Sequence, residues 1–373
     1  MTKMQGEAET RLERLLGFLD QDPDNLSLAS DCAEAALDAD RIELARRILA
    51  PFDTSETLDG RARNIAGLAA MRDGDQIMAQ RQFGRLLTEH PGDPGVRFNL
   101  AWSMALSDDH AGARETLGDM GDSDLPQAAM LDLQLHHHLG EFDAAEEKLT
   151  RYIERFPDYA PLQAAASVLA IDLEHADLAR RCAENGGEHP DALSTLGTLE
   201  LGEQRLDDAR ALFARSLATR SNNPRANIGL GLVELAGGNS RGALSFLDRG
   251  AEQFGDHLGS WLAAGWAYLL AGDAATARAR FDTALEKDDN FGEAHGSLAA
   301  LDAFAGDFES AQRRLDIALR LDRQSFSAAM TSMVLAAAEG DQEKAQRIFE
   351  LAASQPLTPD GKTLADLLVG MAL

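Results

Sequence analysis

Three consecutive histidines, His136-His137-His138, are the first residues in this sequence whose type invites chemistry. Imidazole titrates near neutrality and is the commonest side-chain ligand for a metal. On a helix, however, consecutive residues point about 100° apart, so three in a row cannot reach one ion. The run is therefore expected to be polar lining, with His137 and His138 outward. His175, His189, His257 and His295 are scattered singly. The two cysteines, Cys32 and Cys182, lie about 150 residues apart and offer neither a disulfide framework nor a zinc pattern. Each sits in an apolar-periodic stretch, where a thiol behaves as a small hydrophobe. There is no phosphate-loop glycine pattern, no G-x-S-x-G and no kinase signature. The carboxylates follow helical spacing and are expected on solvated faces. The expectation is no catalytic residue, no metal and no cofactor. An enzyme would need groups converging from several segments.

The elements that carry these residues are set by composition. The chain has 373 residues, 64 of them Ala and only 6% aromatic. That is long for a single core and rich in the best helix former. The net charge is −27. Such a surface repels phosphate backbones and anionic headgroups, which argues against nucleic acid, admits a basic protein partner, and also serves solubility. Met1 to Leu12 is polar, with no apolar signal core. No run reaches the roughly 18 apolar residues of a membrane span. A soluble, cytoplasmic protein is expected. Arg outnumbers Lys 30 to 5, as in GC-rich bacterial coding.

Self-similarity organises the rest. From Ala277, steps of 34 residues meet Ala243 and Ala209 backward, and Ala311 and Ala345 forward. A second register holds Ala145 and Ala179, and a third Ala45, Ala79 and Ala113. Ala at this point lets two antiparallel helices approach closely. The matching position on the preceding helix is mostly small: Ala33, Gly67, Ala101, Ser167, Gly197, Gly231, Gly265 and Ala299. Leu133 and Met333 depart from it, so those hairpins should be splayed or repacked. Turn glycines followed by an acid or Asn recur at Gly74, Gly140, Gly238, Gly272, Gly306 and Gly340. Pro23, Pro91 and Pro157 stand where a second helix should stop. A large-residue stripe runs through Leu49, Phe83, Leu117, Leu149, Phe213, Leu247, Phe281, Leu315 and Phe349.

Residues Leu258 to Asn290 then read Trp261, Ala264-Gly265, Tyr268, Gly272-Asp273, Ala277, Phe281. This resembles the tetratricopeptide repeat, W-x2-L-G-x2-Y followed by A-x3-F at 34 residues. Ala264 replaces the Leu and no Pro closes the unit. The resemblance implies an all-α, right-handed α-solenoid of about ten helical hairpins with capping helices at both ends. Residues 1–25 would form the N-terminal cap, 26–157 four repeats with the first one loose, and 190–357 five more. Residues 158–189, short and with Glu174-His175 in place of the turn glycine, would be a degenerate repeat or joint. Residues 358–373 would be the C-terminal cap.

Members of that family bind ligands along the first helices. Carried over position by position, this assigns a partner-binding groove to Phe98, Trp102, Ile228, Leu232, Leu235, Leu262, Trp266, Leu269, Phe304, Met330 and Val334. The stretch Leu258 to Ala271 has no charged residue, and a helix apolar on every side must be covered on every side. Neighbouring repeats, a ligand or the chain's own termini could do so. The resemblance thus implies a non-catalytic scaffold or adaptor that holds an apolar or amphipathic protein segment, in roles such as assembly of a bacterial secretion, pilus or envelope machine. The alternative is an accessory or regulatory subunit of a larger enzyme or polymer-synthesis complex. Self-association is left open. The carboxylate clamp of chaperone-binding members is not expected, because its phase holds one Asn, Asn99, and no paired Lys.

Overall fold

A computed structural model describes residues 3–54 and 56–353. The expected closing helix 358–373 lies outside them. Among the described residues there are 21 α-helices and no strand. The chain divides into two compact units, Met1–Leu169 and Ala170–Leu373. The division falls within the 158–189 segment.

The first unit holds α1 (Lys3–Leu19), α2 (Leu26–Asp38), α3 (Ile42–Thr54), α4 (Gly60–Arg72), α5 (Gln76–Glu89), α6 (Pro94–Ala105), α7 (His110–Leu117), α8 (Pro126–His138), α9 (Phe142–Arg155) and the start of α10 (Ala160–Asp172). A 3-10 turn, Gly118–Asp122, follows α7. The second unit continues with α11 (Ala176–Gly186), α12 (Pro190–Gly202), α13 (Leu206–Thr219), α14 (Pro224–Ala236), α15 (Ser240–Phe254) and α16 (Leu258–Leu270). It ends with α17 (Ala274–Lys287), α18 (Gly292–Phe304), α19 (Phe308–Leu321), α20 (Phe326–Ala338) and α21 (Gln342–Ala353). Even-numbered helices open hairpins and odd-numbered ones close them. The lone α1 covers α2 through Leu12, which is buried with Ala29 and Ala33.

Proline at the first turn starts α6, α8, α12 and α14, where its missing N–H costs nothing. Asp75, Asp109, Asn239, Asp273 and Asp307 cap second helices by accepting backbone N–H bonds. Five residues before each repeated alanine the backbone is left-handed. Gly74, Gly140, Gly238, Gly272, Gly306 and Gly340 meet that demand. Asp40, Asp108, Glu174 and Gln204 adopt the same conformation with a side chain, at φ 58°, 62°, 63° and 60°. The turn at Glu174 therefore keeps the common geometry without glycine.

Nine of the ten repeated alanines, Ala45 to Ala311, have no exposed surface, and Ala345 is half-buried. The small residue on the first helix answers a different neighbour. A β-carbon on Gly67 would stand 2.7 Å from the ring of Phe83, and one on Gly197 the same distance from Phe213. Gly265 is filled likewise by Phe281. Where the first helix carries Ala33, Ala101 or Ala299, the second carries Leu49, Leu117 or Leu315 in the same cluster. Volume is thus conserved across these six pairs, whereas Gly231 faces the smaller Leu247. The expected repacking at Leu133 is present: Leu133 is buried, and α8 meets α9 through a polar cluster rather than a small-residue contact.

Consecutive repeats are also joined by side chains. The residue after the repeated alanine reaches the end of the next first helix. Arg46 pairs with Asp73 and Asp75, Arg180 with Glu200 and Glu203, Arg210 with Glu234, and Arg278 with Asp302. Gln80 makes the neutral version, donating to the Ser103 carbonyl at 3.1 Å and to the Ser107 hydroxyl at 2.8 Å. These latches correct the expectation that the carboxylates are solvated. Asp132, Glu200 and Asp302 are buried and bonded to cations. Arg205 and then Arg180 hold the Glu200 carboxyl below its ordinary value.

Candidate partner-binding surface

The groove residues assigned from sequence fall into two classes of environment. Ile228, Leu232 and Leu235 on α14 are half-buried against Ala243, Leu247, Ala264 and Ala267. Leu262, Trp266 and Leu269 on α16 pack on Phe281, Leu298 and Leu301. The Trp266 and Phe281 rings meet edge to face, with centroids 5.6 Å apart. Val334 leans on the α18–α19–α20 core, and Met330 is half-buried one turn earlier. In the other unit, Phe98 and Trp102 lie 5.8 Å apart and pack on Ala101, Leu117 and Leu131. These side chains are partly consumed by contacts between hairpins. Phe304 is different: it is 53% exposed.

Phe304 belongs to a row. Seven residues before each repeated alanine, at the last position of the first helix or its cap, every residue is exposed: Asp38, Arg72, Leu106, His138, Asp172, Gly202, Ala236, Leu270, Phe304 and Ala338. The row is mixed in the first half and wholly apolar from Ala236 onward. Leu270, one 34-residue step before Phe304 and at the same family position, is 67% exposed. The row lies beside two helices without charge, α16 and α20. At the head of α16, His257 accepts from the Ser260 N–H at 3.2 Å. Burial first, and Arg225 second, lower the His257 pKa, so the helix starts on a neutral cap. Exposed apolar side chains in a contiguous patch mark interaction surfaces.

The histidine run separates. His136 is buried in the α8–α9 interface, His137 is half-buried, and His138 is exposed and stacks on His110 at 4.4 Å. Among the described residues no group of His, Cys, Asp or Glu could hold a metal ion. Both cysteines are buried, and burial raises their thiol pKa values, to about 11 for Cys182. No described helix is long and apolar enough to cross a membrane.

Stacked hairpins with a repeated alanine contact, a left-handed turn and an apolar first-helix face define an array of tetratricopeptide type. Residues 200–264 match the family model described as tetratricopeptide repeat, and hairpins of the same build recur on either side, so the chain is built as a tandem array of hairpins of tetratricopeptide type. No curated protein matches by sequence. Among solved structures, the human IFIT1 dimer with m7Gppp-AAAA is similar at 12% identity over 92% of this chain and 94% of that one, with a TM-score of 0.55. That likeness shows the fold alone. YrrB, a TPR protein with an unusual peptide-binding site, is 18% identical over 52% of this chain and 97% of its own, with a TM-score of 0.39. Tetratricopeptide arrays generally serve as protein–protein interaction scaffolds.

Proposed function

We propose that the chain is a non-catalytic scaffold or adaptor, working in the cytoplasm, that holds an apolar or amphipathic segment of another protein along the first helices of α14 to α20. The observation that carries this reading is the exposed row Ala236, Leu270, Phe304 and Ala338 beside the charge-free helices α16 and α20. An amphipathic helix could lay apolar residues on that row at two-turn spacing, because packed helices lie roughly 8–10 Å apart and one helical turn rises about 5.4 Å. Assembly of a bacterial secretion, pilus or envelope machine is the setting in which such an adaptor would act.

The test compares affinity capture from the native cell by the wild type with capture by Leu270→Asp/Phe304→Asp. Both positions are exposed, so the fold should survive, whereas Trp266 supports Phe281 and would confound the result. The expected outcome is loss of a specific protein with the circular dichroism unchanged. Unchanged capture would overturn the proposal, and a partner that survives the double substitution but leaves with the first unit would place the function elsewhere.

A further inference from the structure

Residues 354–373 follow α21 in the second unit and lie outside the described residues. Their sequence carries the pattern that the exposed row asks of a ligand. Leu364, Leu367, Leu368 and Met371 recur at i, i+3, i+4 and i+7, which at helical spacing gathers them on one side. Asp366, the one charged residue from Thr363 to Leu373, falls on the opposite side. Leu364 and Met371 are two turns apart, about 10.5 Å, close to the separation of packed neighbouring helices. The two can therefore meet consecutive members of the row, Phe304 and Leu270.

The same segment is poorly suited to continuing the array in register. Steps of 34 residues from Leu230 lead through Ala264, Leu298 and Ser332 to Asp366. Leu230 shares a buried cluster with Phe213, Ala264 with Leu247, and Leu298 with Phe281, each on the preceding second helix. A further first helix stacked on α21 would turn the Asp366 carboxylate into that apolar contact, where burial of an unpaired charge is costly. The connection permits another path. Pro356, Pro359 and Asp360-Gly361 are turn formers, and the ten residues 354–363 separate Ala353 from the stripe. Ten extended residues reach about 33 Å. Returning along the 12 residues of α21, about 18 Å, and crossing two neighbouring hairpins, about 20 Å, takes roughly 27 Å to arrive at Leu270.

We infer that residues 363–373 are a built-in ligand of this row: the segment docks in cis, as an amphipathic helix, on Leu270, Phe304 and Ala338, and closes the row to other ligands. The inference rests on the reading of the row as a binding surface and adds its regulation. A connection of about ten residues gives the segment an effective concentration on the order of 1 mM. A contact of about 0.1 mM as a free peptide then keeps the row closed about nine-tenths of the time and weakens any competing ligand about tenfold.

The test uses the full chain and a fluorescein-labelled peptide of residues 358–373, read by fluorescence anisotropy. Leu364→Asp/Leu368→Asp in the chain disables the segment in cis, and this variant should bind the peptide about tenfold more tightly than the wild type. Adding Leu270→Asp/Phe304→Asp should abolish that binding. Trypsin cleavage after Lys362 supplies a reading without any change in the segment. It should be about tenfold faster in Leu270→Asp/Phe304→Asp than in the wild type, with the circular dichroism unchanged. If the segment variant fails to fold, the cleavage rate decides alone. Equal peptide affinity in wild type and segment variant, peptide binding that survives the row substitutions, or an unchanged cleavage rate overturns the inference. Protection of Lys362 that vanishes on dilution assigns the contact to a second copy and overturns it as well. Lost partner capture with unchanged cleavage sinks this inference and keeps the partner reading; faster cleavage with unchanged capture does the reverse.

Discussion

The ring of Phe83 occupies the space that a side chain on Gly67 would need, with Cε1 2.7 Å from where a β-carbon would stand. The same pairing joins Gly265 to Phe281 in the second unit. Gly265→Ala should therefore overpack and lower stability by about 1–3 kcal/mol. Phe281→Leu alone should lower it through lost packing, by about 1 kcal/mol or more. Together they rebuild the Ala–Leu pair already present at Ala299 and Leu315, so the double variant should recover about 1 kcal/mol relative to the sum. Urea unfolding of the four proteins measures this, and additive losses would refute the pairing.

Asp302 accepts from Arg278 of the previous second helix and from Arg314 of its own hairpin, the latter at 3.1 Å. Its side chain is 8% exposed. Asp302→Asn should destabilise the second unit by about 1–3 kcal/mol, because two guanidinium groups lose their acceptor charge. Arg46→Ala, whose ion pairs are about one-third exposed on both sides, should cost at most about 1 kcal/mol. Equal losses at the two sites would show that burial does not set the strength of the latch.

Glu174 and Gln204 hold left-handed backbone at φ 63° and 60°. Six sister turns use glycine there. Glu174→Gly and Gln204→Gly should each raise the melting temperature, by an amount equivalent to about 1 kcal/mol, since the β-carbon penalty goes. Gly272→Ala, at φ 87°, should lower it by a similar amount. A drop with Glu174→Gly would mean that this side chain contributes more than its backbone strain costs.

His257 caps α16 as a neutral acceptor, and burial lowers its pKa below the ordinary 6.5. The proton is held less well in the folded chain than in the unfolded one. Stability from this group is therefore full above pH 6.5 and declines as the pH falls through 6.5 toward the depressed folded value. His189, which caps α12 and is also lowered by burial, acts in the same direction. Replacing both with Asn should flatten the melting temperature between neutral pH and about pH 5. An undiminished slope in the double variant would assign the acid sensitivity to other groups.

The hairpins were readable because their signal is periodic: a repeated alanine, a turn residue five places earlier and a large residue four places later. What the spacing could not convey was which residues touch. Small positions were read as meeting the alanine, whereas Gly67 and Gly197 meet Phe83 and Phe213. Conformation without composition also escaped notice, as at Glu174, where the turn persists after the glycine is gone. Of the assigned groove, Trp266 and Leu262 turned out to bridge hairpins, while Leu270, one repeat from Phe304, is the more exposed side chain. The shortened α7 left one trace in the sequence, the spacing of 32 rather than 34 residues between Ala113 and Ala145.

The latches give the second unit a rule of succession. Arg210 addresses Glu234 and Arg278 addresses Asp302, but between them stand Leu244 and Tyr268, which carry no matching charges. That junction is served from the other side, with Asp248 receiving Arg280 at 2.7 Å and the Tyr268 hydroxyl at 2.6 Å. Excising 224–257 in register would set Arg210 against Tyr268, and excising 258–291 would set Leu244 against Asp302. Removing both together sets Arg210 against Asp302, a matched couple. Between 224 and 291 the charge matching of the latches thus survives loss of the two repeats together but not of either one alone.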